Sequence, residues 1–84
     1  MTDYILIFLT TSSIKEAEKI IKVLLEKKLI ACATCIENVT SLYTWKGNIE
    51  KEEEIEVRIK ARETSFNDIV SVVESLHSYK VRKR

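Results

Sequence analysis

Apolar residues recur along this chain in several distinct rhythms. Tyr4-Ile5-Leu6-Ile7-Phe8-Leu9 is an unbroken apolar run of strand length. That is the pattern of a strand covered on both faces. It gives way to Thr10, Thr11, Ser12 and Ser13. Ser13-Ile14-Lys15-Glu16 fits a capping box, in which the Ser13 hydroxyl accepts the Glu16 N–H and the Glu16 side chain reaches back. Ile14, Ala17, Ile20, Ile21, Leu24 and Leu25 then form one helical stripe, with Lys15, Glu18, Lys19, Lys22 and Glu26 on the opposite face. The helix is expected to end near Lys27-Lys28, where cations suit the dipole.

The rhythm then changes. Leu29 to Trp45 lacks helical spacing and is rich in β-branched, aromatic and small residues. Glu54 to Arg62 alternates, with Ile55, Val57, Ile59 and Ala61 on one face and Glu56, Arg58, Lys60 and Arg62 on the other. This is a half-buried strand. Lys46-Gly47-Asn48 holds the one glycine of the chain and reads as a turn needing positive φ. The two segments therefore form a long hairpin. Thr64 to His77 is a second helix with its stripe at Phe66, Ile69, Val70, Val73 and Leu76. Ser65 to Asp68 supplies a capping-box-like start, with Asp in place of Glu.

The order β-α-β-β-α defines an α+β, ferredoxin-like split βαβ fold with an antiparallel sheet, its last strand missing. Residues 1–84 are expected to form a single, C-terminally shortened domain. In such a sheet the fourth strand lies beside the first. Without it the first strand has an open edge, which invites pairing with another chain. The chain of 84 residues buries a modest core for its size. Net charge is +1, from 14 Lys+Arg against 13 Asp+Glu. That gives no general electrostatic case for nucleic acid or membrane surfaces. No apolar stretch approaches the roughly 20 residues of a membrane span. No signal peptide is recognised at the start, so a cytoplasmic setting is expected.

Cys32 and Cys35 stand in C-x-x-C spacing. On a helix they would face one way and form a redox candidate. On a strand, residues three apart face opposite layers, so they can neither chelate one metal nor form an unstrained disulfide without a bulge. Their neighbours Ile30, Ala31, Ala33 and Thr34 are small or apolar. Buried structural thiols are expected.

Several separated blocks carry a resemblance. Leu29-Ile30-Ala31-Cys32-Ala33, then Ser41-Leu42-Tyr43-Thr44-Trp45-Lys46-Gly47-Asn48-Ile49, then Glu54, Ile59-Lys60 and Leu76-His77-Ser78-Tyr79 resemble the CutA family of divalent-cation tolerance proteins. The likeness runs from about residue 4 to residue 80. Departures are Ser78 where the family has proline, Ala61 where it has threonine, Leu9 where some members carry cysteine, and Tyr79-Lys80-Val81 running into Arg82-Lys83-Arg84 where the family continues with a further strand and a C-terminal helix. The resemblance implies a ferredoxin-like fold, a homotrimer that pairs strands across subunits, and an association with copper or other divalent cations. It also implies a likeness to PII signalling proteins and no enzymatic activity. The chain has no Ser-His-Asp set, no Gly-rich phosphate loop and no paired metal ligands on one element.

Candidate residues follow from both readings. His77, the one histidine, lies near a helix C-terminus, where the dipole favours a protonated cap. The resemblance makes it the metal-ligand candidate, since imidazole suits Cu(II), with Glu54 as a further ligand. Tyr43 and Trp45 alternate onto one strand face, the habit of packing or interface aromatics. With Lys60 and Tyr79 they are expected to line a cleft between subunits. The charge run Glu50 to Glu54 reads as a solvated face, and the basic end Lys80 to Arg84 as a tail without nucleic-acid motifs. Two functions are open. One is cation binding for metal tolerance by a homotrimer. The other is a PII-like scaffold binding a small anionic ligand or an unknown protein partner in the cleft.

Overall fold

A computed structural model describes residues 3–76. Its elements are strand β1 (Tyr4–Thr11), helix α1 (Ile14–Glu26), strands β2 (Cys32–Trp45) and β3 (Asn48–Arg62), a 3-10 turn (Glu63–Ser65) and helix α2 (Phe66–Leu76). The three strands form one antiparallel sheet in the order β1-β3-β2. Both helices cover the same face. This is the ferredoxin-like arrangement expected, with β1 at an open edge among the described residues.

The helix boundaries follow from local hydrogen bonds. Ser13 Oγ accepts the Glu16 N–H at 3.1 Å, and the Glu16 carboxylate reaches back to Ser12 rather than to Ser13. The buried Thr11 hydroxyl donates to the Ser13 carbonyl at 2.8 Å, which ties the strand end to the cap. At the other end the Leu29 N–H reaches the Leu24 carbonyl and the Lys28 N–H reaches that of Leu25, with Lys28 at φ 58. That is a Schellman closure with lysine where glycine is favoured. A left-handed non-glycine residue costs about 1 kcal/mol or more. Lys28→Gly is therefore expected to stabilise the fold by about 1 kcal/mol, a rise of several degrees in melting temperature. An unchanged or lowered midpoint by calorimetry would refute this. Helix α2 starts at Phe66, the first residue of its apolar stripe and two residues after the expected start at Thr64. The Phe66 N–H donates to the Glu63 carbonyl in a 3-10 turn, which replaces the expected Ser65–Asp68 cap.

The core lies between the sheet and the helices. Ala17, Ile20 and Leu24 of α1 and Ile69 and Val73 of α2 pack on Leu9, Val57, Ile59 and Ala61. The expectation that β1 is covered on both faces is corrected. Its odd residues turn to the helices, but Tyr4, Leu6 and Phe8 are 41 %, 64 % and 39 % exposed on the helix-free face. The unbroken apolar run reflects a second face that no element among the described residues covers.

Candidate functional site

The helix-free face is organised by β3, whose side chains there run in a charge gradient. Glu50, Glu52, Glu54 and Glu56 occupy its first half, and Arg58, Lys60 and Arg62 its second. The basic half pairs with the aromatic ladder of β1, since Tyr4, Leu6 and Phe8 stand opposite Arg62, Lys60 and Arg58. The Arg62 and Lys60 cations lie 5.3 and 5.4 Å from the Tyr4 ring, and Arg58 lies 5.8 Å from Phe8. These are cation–π distances. Arg58 Nε also donates to Glu56 at 2.8 Å, where the two charges meet at the junction. The acidic half belongs to a hairpin arm that runs past the end of β1.

A bulge aims the aromatic residues. Ile36 pairs with Glu56 and Val39 with Glu54, so Glu37 and Asn38 together face the single residue Ile55. Asn38 adopts φ 60, a left-handed conformation that asparagine tolerates. The extra residue reverses the alternation of β2. Tyr43 and Trp45 thereby share the helix-free face with Cys32 and Thr34 instead of turning toward the helices. The Tyr43 hydroxyl donates to the Glu52 carboxylate across the strands. At the arm's end Trp45 is 60 % exposed, with the Lys46 ammonium 5.9 Å from its ring. Lys46 and Gly47 both take positive φ, 52° and 81°, and close the hairpin.

The predicted site residues are not gathered within one chain. Lys60 and Trp45 lie twelve ladder positions apart on the β2–β3 hairpin, or about 40 Å at the usual rise per residue. Glu54 lies midway, half-buried in a cleft of about 380 Å³ with Phe8, Thr10, Val39, Ser41 and Glu56. Among the described residues no three His, Cys, Asp or Glu side chains converge on one point that could hold a metal ion. The described donors of one chain therefore do not make a cation centre. His77 and Tyr79 lie outside the described residues.

Cys32 and Cys35 face opposite sides of the sheet, as strand geometry requires. The expectation of two buried thiols is corrected for Cys32, which is exposed. It lies on the helix-free face beside Lys60. Cys35 packs partly against the core, and burial, with the carboxylates of Glu18 and Glu37, pushes its thiol above its ordinary value. The thiolate is the reactive form. In the monomeric chain iodoacetamide is accordingly expected to modify the exposed Cys32 faster than the partly buried Cys35 at pH 8. Mass spectrometry of timed digests checks this, and equal rates would contradict it.

The sequence reading singled out Tyr43, Trp45 and Lys60 but missed the β1 ladder of Tyr4, Leu6 and Phe8. It also missed Leu42 and Ile49, which are 65 % and 80 % exposed on the other face of the arm. The alternation of β3 was the available signal. If the even residues of β3 face away from the helices, so do their partners on β1.

A three-stranded split βαβ sheet with a long projecting hairpin and a bare, charged and aromatic face defines the class of the molecule. The sequence profile described as CutA1 divalent ion tolerance protein matches residues 5–83. The chain belongs to the CutA1 family. Protein CutA of Mus musculus is 36% identical over 74 residues, which is 88% of this chain and 42% of the relative. The chain thus spans about two fifths of that relative's length. The periplasmic divalent cation tolerance protein CutA from Archaeoglobus fulgidus superposes with a TM-score of 0.86 at 38% identity, covering 90% of this chain and 74% of that one. CutA1 from the psychrotrophic bacterium Shewanella sp. SIB1, described as a stable protein, gives a TM-score of 0.91 at 33% identity, with 98% and 77% covered.

Proposed function

We propose that this protein serves divalent-cation tolerance as a homotrimer, and that copper or a similar cation is handled between copies rather than within one. The observation that carries the reading is the helix-free face. It exposes Tyr4, Leu6, Phe8 and Trp45 together and divides into an acidic arm and a basic, aromatic base. Large exposed apolar surface marks an interaction site. A surface whose two halves are complementary to each other can pair head to tail, and such contacts close into a ring where the rotation between copies closes. The arm of one copy then lies over the base of the next. Residues strung along about 40 Å of hairpin in one chain meet in the assembly, with Glu54 and His77 as cation ligands and Tyr43, Trp45, Lys60 and Tyr79 around the cleft. Two free cysteines fit a reducing, cytoplasmic setting.

Native mass spectrometry with a Cu(II) titration tests this directly. A trimer that takes up copper in stoichiometric steps is the expected result. His77→Ala is expected to weaken Cu(II) binding severalfold by calorimetry, and unchanged affinity would remove His77 from the site. A trimer that ignores copper would overturn the cation reading and favour the scaffold that binds a small anion or a partner protein.

A further inference from the structure

At the end of the sheet opposite the arm, the α1–β2 connection meets the turn between β3 and α2. The two enclose a pocket of about 180 Å³ lined by Tyr4, Lys28, Leu29 to Ala31, Arg62 and Ser65. We infer that this pocket binds a small phosphate-type oxyanion, either free phosphate or a phosphate monoester.

The lining includes Lys28, Arg62 and Ser65 and contains no acidic residue. Among the described residues neither Lys28 nor Arg62 has a carboxylate within ion-pair distance. The nearest acidic residues in sequence, Asp3 and Glu63, are exposed and do not line the pocket. Arg62 is instead held 5.3 Å from the Tyr4 ring, and Lys60 approaches the same ring at 5.4 Å. Stacking on an aromatic ring orients a guanidinium fork, the geometry that takes two oxygens of a phosphate at once. The closed helix end fixes where Lys28 stands, through the Leu29 and Lys28 amide bonds to Leu24 and Leu25. Two nearby backbone amides are already used, Ala31 N–H by the Lys60 carbonyl at 2.8 Å and Glu63 N–H by the Asp3 carbonyl at 2.6 Å. The side chains of Lys28, Arg62 and Ser65 supply the charged and hydroxyl donors.

Size and charge set the ligand class. Drug-sized sites run from about 300 Å³ upward, so this pocket suits an ion or a short ester and not a nucleotide. Two cations match the double charge that a phosphate monoester carries near neutral pH. The site lies at the far end of the sheet from the chain's own arm, rests on the proposed assembly leaving the Tyr4–Arg62 end of the base uncovered, and does not depend on a cation at His77.

The test is an NMR titration of the chain with inorganic phosphate at constant ionic strength, following the Arg62 Nε–H and Ser65 amide signals. Saturable shifts are expected, with a dissociation constant on the order of 1 mM for so small a ligand. Arg62→Gln and Lys28→Gln should each weaken binding by about tenfold or more. Lys19→Gln, on the exposed face of α1, should leave it unchanged. Affinity should rise between about pH 5.5 and 7.5 as the ligand takes its second charge. Glycerol phosphate binding more tightly than free phosphate would assign the ester; the reverse would assign the free ion. Shifts that never saturate, or an equal loss in Lys19→Gln, would overturn the inference.

Discussion

Replacing Leu6 with glutamate is expected to convert the proposed homotrimer into folded monomers. Leu6 is 64 % exposed on the helix-free face of β1, so its side chain contributes little to the fold of one chain. Its cross-strand partner is Lys60, with which a glutamate at position 6 forms an opposite-charge pair. The single chain therefore tolerates the change, at about 0.5 kcal/mol or less. The assembly does not. In the proposed head-to-tail arrangement the base of one copy would receive the acidic arm of the next, and a new carboxylate there would meet Glu50, Glu52 and Glu54. Burying a charge against like charge costs several kcal/mol, which corresponds to a loss of at least about a thousandfold in association. Native mass spectrometry and circular dichroism read the two arms separately. Monomers with unchanged helix content are the expected outcome. A persisting trimer would remove the β1 ladder from the interface, and an unfolded monomer would show that Leu6 stabilises the chain itself. By the same charge logic the proposed trimer is expected to be sensitive to salt, since exposed parts of its arm contact would be screened within about 10 Å at 0.1 M.

The elements of this fold were legible because each has one dominant periodicity. Ala17, Ile20 and Leu24 mark the buried stripe of α1, and Val57, Ile59 and Ala61 the buried face of β3, at the positions their spacing indicates. The capping box at Ser13 was legible because it is local chemistry. What the pattern could not carry is what lies outside one chain. Tyr4 to Leu9 reads as a doubly covered strand, and the helices cover one side only. An apolar run records that a face is removed from water in the working state, not which chain removes it. The same reason misplaced Cys32, whose apolar neighbours implied burial while the helix-free side leaves it exposed. The bulge at Glu37-Asn38 was missed because one inserted residue leaves no trace in composition. Asn38 was its only cue, and it alone decides that Tyr43 and Trp45 face away from the helices. The site was thus legible as residue types and illegible as a place, since its described members, Tyr43, Trp45, Glu54 and Lys60, are spread along one hairpin and do not meet within one chain.

Ile59→Ala is expected to be the most damaging single substitution within the chain. Ile59 is fully buried at the middle of the central strand, with Ile7 of β1 on one side and Ala33 of β2 on the other. Above it lie Ile20 and Leu24 from α1 and Ile69 and Val73 from α2, all of the same core. No neighbour can move to fill the space, because β3 is hydrogen-bonded on both sides and both helices rest on it. Truncation at such a site costs about 2–5 kcal/mol, the transfer term plus the cavity. A chain of this length has about 4–13 kcal/mol in total, so the variant loses a large share of its stability, whereas Ile59→Val should cost only about 0.5–1.5 kcal/mol. Assembly adds to the apparent stability by mass action. Urea unfolding should therefore be compared at one protein concentration, in the Leu6→Glu background where the assembly term is removed. There the full cavity cost is expected, with an unchanged urea dependence. A loss below about 1 kcal/mol would mean that the core can collapse around β3, contrary to its being clamped by two strands and two helices.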